Sequence, residues 1–108
     1  MPIQLTNEQL QFIQQTLSGL LPDAQFFAFG SRAKGSAKRY SDIDILIINK
    51  VIIPLITLSQ LNEIFTESNL PFKVDLVDWH RITEEFREHI EKEGMVNLMS
   101  AKSSHPSA

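Results

Sequence analysis

The amino-acid sequence predicts an α+β fold in which helices pack on a small mixed β-sheet. Apolar runs with strand character occur at residues 24–29, 42–48 and 72–77. Apolar residues recur at helical spacing in residues 6–21, 57–68 and 83–93. The chain of 108 residues is long enough for one domain with one hydrophobic core. We expect this domain to span residues 1–99, followed by a polar, disordered tail over 100–108.

The composition narrows the class of protein. At 43% hydrophobic and 21% charged residues, it is typical of a globular chain. The net charge of −3 argues against a nucleic-acid-binding surface as the main function. Cysteine is absent, which excludes a disulfide framework and suits a cytoplasmic protein. The sequence has neither a signal peptide nor an apolar run long enough for a membrane span, so we expect no membrane partner.

Capping signals mark where the three helices begin. Thr6 with Gln9, and Thr57 with Gln60, have the spacing of a capping box, and Thr83 is the expected N-cap of the last helix. The side chains that we expect to face inward are Leu10, Ile13 and Leu17 in the first helix, Leu58, Leu61, Ile64 and Phe65 in the second, and Phe86 and Ile90 in the third.

The three strands differ in how they are covered. The run Ile45–Ile48 is apolar without alternation, which indicates a central strand with both faces buried. The third strand carries Asp75 between apolar neighbours, and an acid in such a place requires an explanation. The apolar residues 95–99 follow the last helix and either form a binding patch or close the core.

Two aspartates at the start of the second strand give the first indication of chemistry. Asp42 and Asp44 are two residues apart, so their side chains point to the same face of a strand. Aspartate is disfavoured in strands, and two like charges on one face repel. A divalent cation would offset this repulsion, and Mg²⁺ binds carboxylates together with substrate phosphates. Taken alone, the pair fits a metal site or acids of a turn before the strand, and Gly30-Ser31 and Asp75 together favour the metal site.

The segment after the first strand suits a phosphate group. Gly30 permits a close approach of the backbone to a ligand, and successive N–H groups in a tight turn bind anions. Ser31 adds a hydroxyl group, while Arg32 and Lys34 add positive charge. We therefore predict that Gly30, Ser31, Arg32 and Lys34 bind the phosphates of a nucleotide.

Two other phosphate or metal motifs do not fit this stretch. A Walker A loop would need lysine where Ser36 stands. An EF-hand loop starting at Asp42 would need an oxygen ligand at Leu46 and glycine at Ile47. Both motifs are therefore excluded.

The spacing resembles the signature of the nucleotidyltransferase superfamily that includes DNA polymerase β. That signature is Gly-Ser, ten residues, then Asp-x-Asp, and Gly30-Ser31 followed by Asp42-Ile43-Asp44 matches it without a gap. The chain is similar to the minimal nucleotidyltransferases of prokaryotes over residues 5–93. The resemblance implies a fold like the polymerase β palm.

The resemblance also implies a mechanism and a set of site residues. Asp42, Asp44 and a third acid would bind two Mg²⁺ ions, with ATP as the substrate and the three acids as the catalytic residues. The family has its third acid on the strand that carries Asp75, and side-chain alternation favours Asp75 over Asp78. Lys34 stands where family members often carry arginine, which keeps the charge but loses the bidentate fork.

The resemblance further implies a partner protein. Minimal nucleotidyltransferases are typically antitoxins that transfer AMP from ATP to a tyrosine of a HEPN-domain RNase toxin. A chain of this size has no room for a separate acceptor-binding domain, so a partner or a second copy would have to complete the site. The alternatives are a module that binds nucleotide or toxin without catalysis, and a transferase acting on a small molecule such as an aminoglycoside.

Overall fold

The computed structural model of the protein describes residues 2–105, which contain six strands and four α-helices. In chain order these are β1 (Pro2–Thr6), α1 (Asn7–Leu20), β2 (Gln25–Phe29), α2 (Ser31–Lys34), β3 (Ile43–Ile48), α3 (Leu55–Thr66), β4 (Val74–Asp78), a 3-10 helix (Trp79–Arg81), α4 (Glu84–Glu93), β5 (Val96–Asn97) and β6 (Lys102–His105). The predicted α+β class is confirmed. Within these residues, the structure contains no helix with the length and apolar character of a membrane span.

The main sheet has four strands in the order β4-β3-β2-β5. β3 runs parallel to β4 and antiparallel to β2, and β5 adds antiparallel to the other side of β2. The sheet is therefore mixed, and β3 is the central strand that its unbroken apolar run predicted. Both faces of β3 are covered, since Ile45 and Leu46 point in opposite directions and are both fully buried.

The hydrophobic core lies on one face of this sheet. There, alternate residues of β2, β3 and β4 pack against the buried faces of α1 and α3. The strands contribute Phe26, Ala28, Ile43, Ile45, Ile47 and Val74, and the helices contribute Leu10, Ile13, Leu17, Leu61 and Phe65. α4 covers part of the opposite face, where the ring of Phe86 contacts that of Phe29 at a centroid distance of 6.4 Å. Ile90, one turn later in α4, is fully buried.

The helix starts agree with two of the three sequence predictions. Thr6 caps α1 in a complete capping box with Gln9, and the Thr83 side chain caps α4. The predicted capping box of Thr57 is wrong, because α3 begins at Leu55 with Pro54 as its N-cap. Proline suits this place, since its fixed φ fits the start of a helix and no N–H is needed there.

Two side chains that were expected to face inward are partly exposed. Ile64 of α3 and Phe86 of α4 each keep 38% of their surface accessible. Both lie at the margin of the apolar stripe of their helix, and the small sheet beneath is too narrow to cover them.

The two ends of the described chain pair with each other. β1 runs parallel to β6 in a separate two-stranded sheet, and Ile3 and Leu5 of β1 are buried in the core. The prediction of a disordered tail is therefore wrong for residues 102–105, and residues 106–108 lie outside the described part. The stretch 95–99 closes the core, because Val96 and Leu98 are buried while Met99 remains exposed.

Candidate active site

Strand register brings two of the predicted acids together. Asp44 of β3 is the direct partner of Asp75 of β4, and Phe29 of β2 is the partner of Asp44 on its other side. Directly opposed residues point to the same face of a sheet, so the carboxylates of Asp44 and Asp75 are neighbours. Asp42 lies two residues before Asp44, where the chain enters β3. The three acids thus meet at one end of the sheet.

The negative charges of the three acids repel one another at this end of the sheet. The pKa of Asp44 is raised, first by its burial and then by the negative charges of Asp75 and Asp42. Asp42 and Asp75 are exposed, whereas Asp44 is half-buried between them. The acids therefore lie where a cation or a substrate can reach them, and a cation would relieve their repulsion.

The Gly-Ser turn touches the same acids. Gly30 has a φ of +77°, and a Cβ atom added to it would lie 2.6 Å from Oδ2 of Asp44. This position accepts only glycine without a shift, both because of its left-handed backbone and because of the carboxylate beside it. Gly30, Ser31 and Asp44 therefore form one continuous surface, with the turn on one side and Asp75 on the other.

Asp78, the competing candidate for the third acid, has a different role. Its side chain is buried, and its carboxylate accepts hydrogen bonds from the backbone N–H groups of Ile53 and His80 at 2.9 and 3.0 Å. Nε of Arg81 lies 3.3 Å from the same carboxylate. Asp78 pairs with Ile47 near the other end of the strand, so it does not join Asp44 and Asp75.

The two predicted basic residues are placed differently from each other. The Arg32 side chain is buried, and its guanidinium group donates to the carbonyl oxygens of Gln4, Lys38, Arg39 and Ser41. This arrangement favours a structural role for Arg32 over the predicted contact with phosphate. Lys34 is exposed and forms an ion pair with Glu93 of α4, so its ammonium group is available once that pair opens.

The donor set fits a metal ion that arrives with its nucleotide. Among residues 2–105, no three His, Cys, Asp or Glu side chains already enclose a single ion. Mg²⁺ is usually held by one or two carboxylates together with substrate phosphates rather than by an all-protein cage. Asp42, Asp44 and Asp75 supply hard oxygen ligands of the kind that Mg²⁺ prefers. The site is therefore one that phosphate oxygens would complete.

Two of the acids, Asp42 and Asp75, are exposed at the surface of the protein. A surface cavity of about 600 Å³ between α1 and α3 is lined by none of the three acids, whereas Asp75 lines a smaller cavity of about 440 Å³ beside Lys73 and Leu76. Exposed carboxylates suit a large acceptor, such as another protein, whose own surface would complete the walls of the site.

Sequence reasoning missed two residues around the site. Gln4 of β1 holds the loop before Asp42, and Glu93 of α4 pairs with Lys34. The alternation of Ile3, Gln4 and Leu5 is a strand pattern that could have indicated β1. No sequence pattern links residues 34 and 93, because only the crossing of α4 over the sheet brings them together.

Three carboxylates lie beside a Gly-Ser turn at the end of a mixed sheet, as the sequence signature predicted. This is the class of site that nucleotidyltransferases use. Residues 9–103 match the family described as Polymerase beta, Nucleotidyltransferase, and the chain belongs to this family. The resemblance found in the sequence is thereby confirmed.

Individual relatives support this assignment. The chain is 43% identical over 90 residues to a probable protein adenylyltransferase, MntA, of Haemophilus influenzae, which covers 83% of this chain and 79% of the relative. It is also similar to a solved toxin–antitoxin structure with AMP-PNP, with a TM-score of 0.69 and 27% identity over 85% of this chain and 72% of the matched one.

A third similarity shows the fold alone. A solved structure of a tri-AMPylated Shewanella oneidensis HEPN toxin in complex with MNT antitoxin matches with a TM-score of 0.64. The identity is 22%, and the match covers 84% of this chain and 69% of the matched chain.

Proposed function

We propose that this protein is a Mg²⁺-dependent nucleotidyltransferase that moves AMP from ATP to a hydroxyl group of a partner protein. The acceptor would be a tyrosine of a HEPN-domain RNase toxin, and the modification would make this chain the antitoxin of the pair. The reaction would take place in the cytoplasm, where an RNase toxin meets its RNA.

One observation carries this proposal. Asp42, Asp44 and Asp75 converge beside Gly30 and Ser31, in a chain that is 43% identical to a probable protein adenylyltransferase. The identity extends over 90 residues, so the likeness concerns the domain as a whole and not a short motif. The open surface around the acids adds support, because it leaves room for a protein acceptor.

The proposed reaction is an in-line displacement at the α-phosphorus of ATP. The acceptor oxygen forms a bond to the α-phosphorus as the bond from that phosphorus to the bridging oxygen of the β-phosphate breaks. Pyrophosphate leaves, and the proton of the acceptor hydroxyl passes to water. Mg²⁺, when bound, neutralises charge on the phosphates and lowers the pKa of the acceptor hydroxyl.

The residues of this chain act mainly by positioning and by electrostatics. The N–H groups and hydroxyl of the Gly30–Ser31 turn face the phosphate tail, and Lys34 adds positive charge when it leaves Glu93. Asp42 and Asp44 would hold Mg²⁺ together with the phosphates. Asp75, exposed on the edge strand β4, would add a third carboxylate ligand for the metal.

The test is a transfer assay on intact proteins. The protein is mixed with the product of its neighbouring gene, which we expect to be a HEPN-domain protein, together with Mg²⁺ and ATP, and the mass of that neighbour is measured. We expect a gain of about 329 Da for each AMP transferred at the α-phosphate. An Asp42→Asn/Asp44→Asn double variant is the control and should give no gain.

The assay also separates the main alternative. If the neighbour keeps its mass but forms a stable complex with both the wild-type protein and the double variant, the protein acts by binding alone. If neither transfer nor a complex is found, the partner assignment is wrong. Transfer to an aminoglycoside in place of the neighbour would identify a small-molecule transferase.

A further inference from the structure

The segment that leads into Asp42 has little regular structure of its own. Residues 35–42 connect α2 to β3 without forming a helix or a strand, and most of their side chains are exposed. Within the segment, Ser41 bonds back to Lys38 through both its backbone and its hydroxyl group. The position of Asp42 must therefore be set by contacts with the rest of the protein.

Arg32 supplies the first set of these contacts. Its guanidinium group donates to the carbonyl oxygens of Ser41 at 2.9 Å, Arg39 at 3.0 Å and Lys38 at 3.4 Å. The same group lies 4.0 Å from the ring centre of Phe72, which precedes β4. Arginine is the side chain that can bind several carbonyl groups in fixed directions while stacking on an aromatic ring.

Gln4 supplies the second set of contacts. Its side-chain amide donates to the carbonyl oxygen of Ala37 at 2.5 Å and accepts from the N–H group of the same residue at 2.9 Å. The carbonyl oxygen of Gln4 also accepts a hydrogen bond from Arg32 at 2.7 Å. Gln4 thus holds Ala37 in the way that a neighbouring strand would.

The strand that carries Gln4 is packed into the hydrophobic core. Gln4 lies between two fully buried residues, Ile3 and Leu5, on a strand that pairs with β6. Arg32 follows directly after the Gly30–Ser31 turn, and Asp42 follows directly after Ser41. The two parts of the nucleotide site are therefore joined through one guanidinium group and one carboxamide.

We propose that Arg32 and Gln4 are positioning residues that fix the segment 35–42, and through it the carboxylate of Asp42, relative to the Gly30–Ser31 turn. They need not touch the nucleotide. The inference rests on the proposed function, because it assigns these two residues to the binding of Mg²⁺ and nucleotide through Asp42. The proposal also gives a role to the two-stranded sheet of β1 and β6, which holds the strand that carries Gln4.

The test compares matched pairs of variants in the full chain. Gln4→Ala is compared with Gln14→Ala, since Gln14 also donates from its side chain to a distant carbonyl oxygen, that of Leu98 at 2.9 Å. Arg32→Lys is compared with Arg87→Lys, since Arg87 also donates to a carbonyl oxygen, that of Trp79, and stacks on its ring at 4.4 Å.

Three quantities are measured for each variant. These are the melting temperature, the amide hydrogen exchange of residues 36–42, and the affinity for AMP-PNP with Mg²⁺ by calorimetry. We expect Gln4→Ala and Arg32→Lys to speed exchange in 36–42 and to weaken nucleotide binding about 10-fold to 100-fold, the usual range for residues that orient metal ligands. Their controls should leave both quantities close to wild type at a similar loss of melting temperature.

The outcomes are distinct. If each variant loses affinity only in proportion to its melting temperature, controls included, the two residues are structural and the proposal is wrong. If wild-type protein does not bind AMP-PNP with Mg²⁺, the proposed function fails, and the exchange data still decide the positioning role. Unchanged exchange in residues 36–42 of Gln4→Ala and Arg32→Lys would overturn the proposal in either case.

Discussion

The acidic side chains at the two ends of the β3–β4 strand pair have opposite electrostatic surroundings. At the end where the strands begin, Asp44 faces Asp75 directly, and Asp42 lies close to both. At the other end, Asp78 is buried, accepts two backbone hydrogen bonds and lies beside Arg81. The same residue type on the same strand thus serves two purposes.

The difference lies in what compensates each charge. Asp78 has partners within the protein for both oxygens, so it stabilises the connection from β3 to α3 through Ile53. Asp44 has like charges as neighbours, which raise its pKa, and carboxylates perturbed in this way cluster at functional sites. The uncompensated charge around Asp44 therefore indicates a functional site, whereas the compensated charge of Asp78 indicates a structural role.

The largest expected effect comes from exchanging the two kinds of acid for asparagine. Asp44→Asn should lower the rate of AMP transfer about 100-fold to 1000-fold, because it removes a fixed charge that acts in the transition state. Asp78→Asn should instead cost about 1–3 kcal/mol of stability, since its amide cannot accept all the hydrogen bonds that the buried carboxylate accepts. Transfer rate per folded molecule and melting temperature are measured for both variants. An Asp44→Asn protein with more than a tenth of the wild-type rate would contradict the assignment.

The next effect concerns the two glycines that flank α2. Gly30 and Gly35 have φ values of +77° and +79°, but Gly35 lies in the left-handed helical region, whereas Gly30, with a ψ of −156°, lies in a region that almost only glycine adopts, so alanine is more strained at Gly30. Only at Gly30 would the added Cβ meet a side chain, Oδ2 of Asp44 at 2.6 Å, whereas Gly35 has nothing within 4 Å. Gly30→Ala should therefore lower the transfer rate about 10-fold to 100-fold relative to Gly35→Ala, by displacing the carboxylate and by straining the Gly-Ser turn. Equal rates in the two variants would show that the contact does not matter.

Local sequence patterns predicted those parts of the structure that depend on neighbouring residues. The capping box of α1, the central position of β3 and the place of Asp75 follow from side-chain periodicity and turn chemistry. The start of α3 was misplaced because two signals competed, and the proline at position 54 prevailed over Thr57. Local rules thus predicted the strands β3 and β4 and the positions of Asp44 and Asp75 on them.

The missed features depend on contacts between distant parts of the chain. β6 is a short polar strand whose pairing with β1 spans about 100 residues, and nothing in its own sequence distinguishes it from a loose tail. Arg32 has a residue type and a position that suit phosphate binding. In the folded protein, however, the N–H donors of Arg32 already bind carbonyl oxygens of β1 and of the segment between α2 and β3.

A smaller effect is expected at the pair of Lys34 and Glu93. Glu93→Gln removes the carboxylate that competes with phosphate for Lys34, so the affinity for AMP-PNP should rise about twofold to fivefold, as for an exposed ion pair. Glu91→Gln, another exposed acid of α4, is the matched control for the general loss of negative charge. A gain in both variants would mean that overall charge is responsible, and a gain that does not diminish with added salt would exclude an ion pair.

The smallest expected effect tests the repulsion among the acids in the absence of metal. Because the pKa of Asp44 is raised in the folded protein, its charged form opposes folding, and this penalty disappears as the pH falls through that pKa. Without metal at pH 7, Asp44→Asn should therefore melt roughly 2–4 °C above wild type, the shift that about 0.5 kcal/mol gives in a domain of this size. The difference should shrink as the pH approaches 3.8, the ordinary pKa of the group. Thermal melts in EDTA between pH 4 and pH 7.5 measure it, with Asp23→Asn in the α1–β2 turn as the control. A difference that stays constant with pH would mean that repulsion at the site is not its cause.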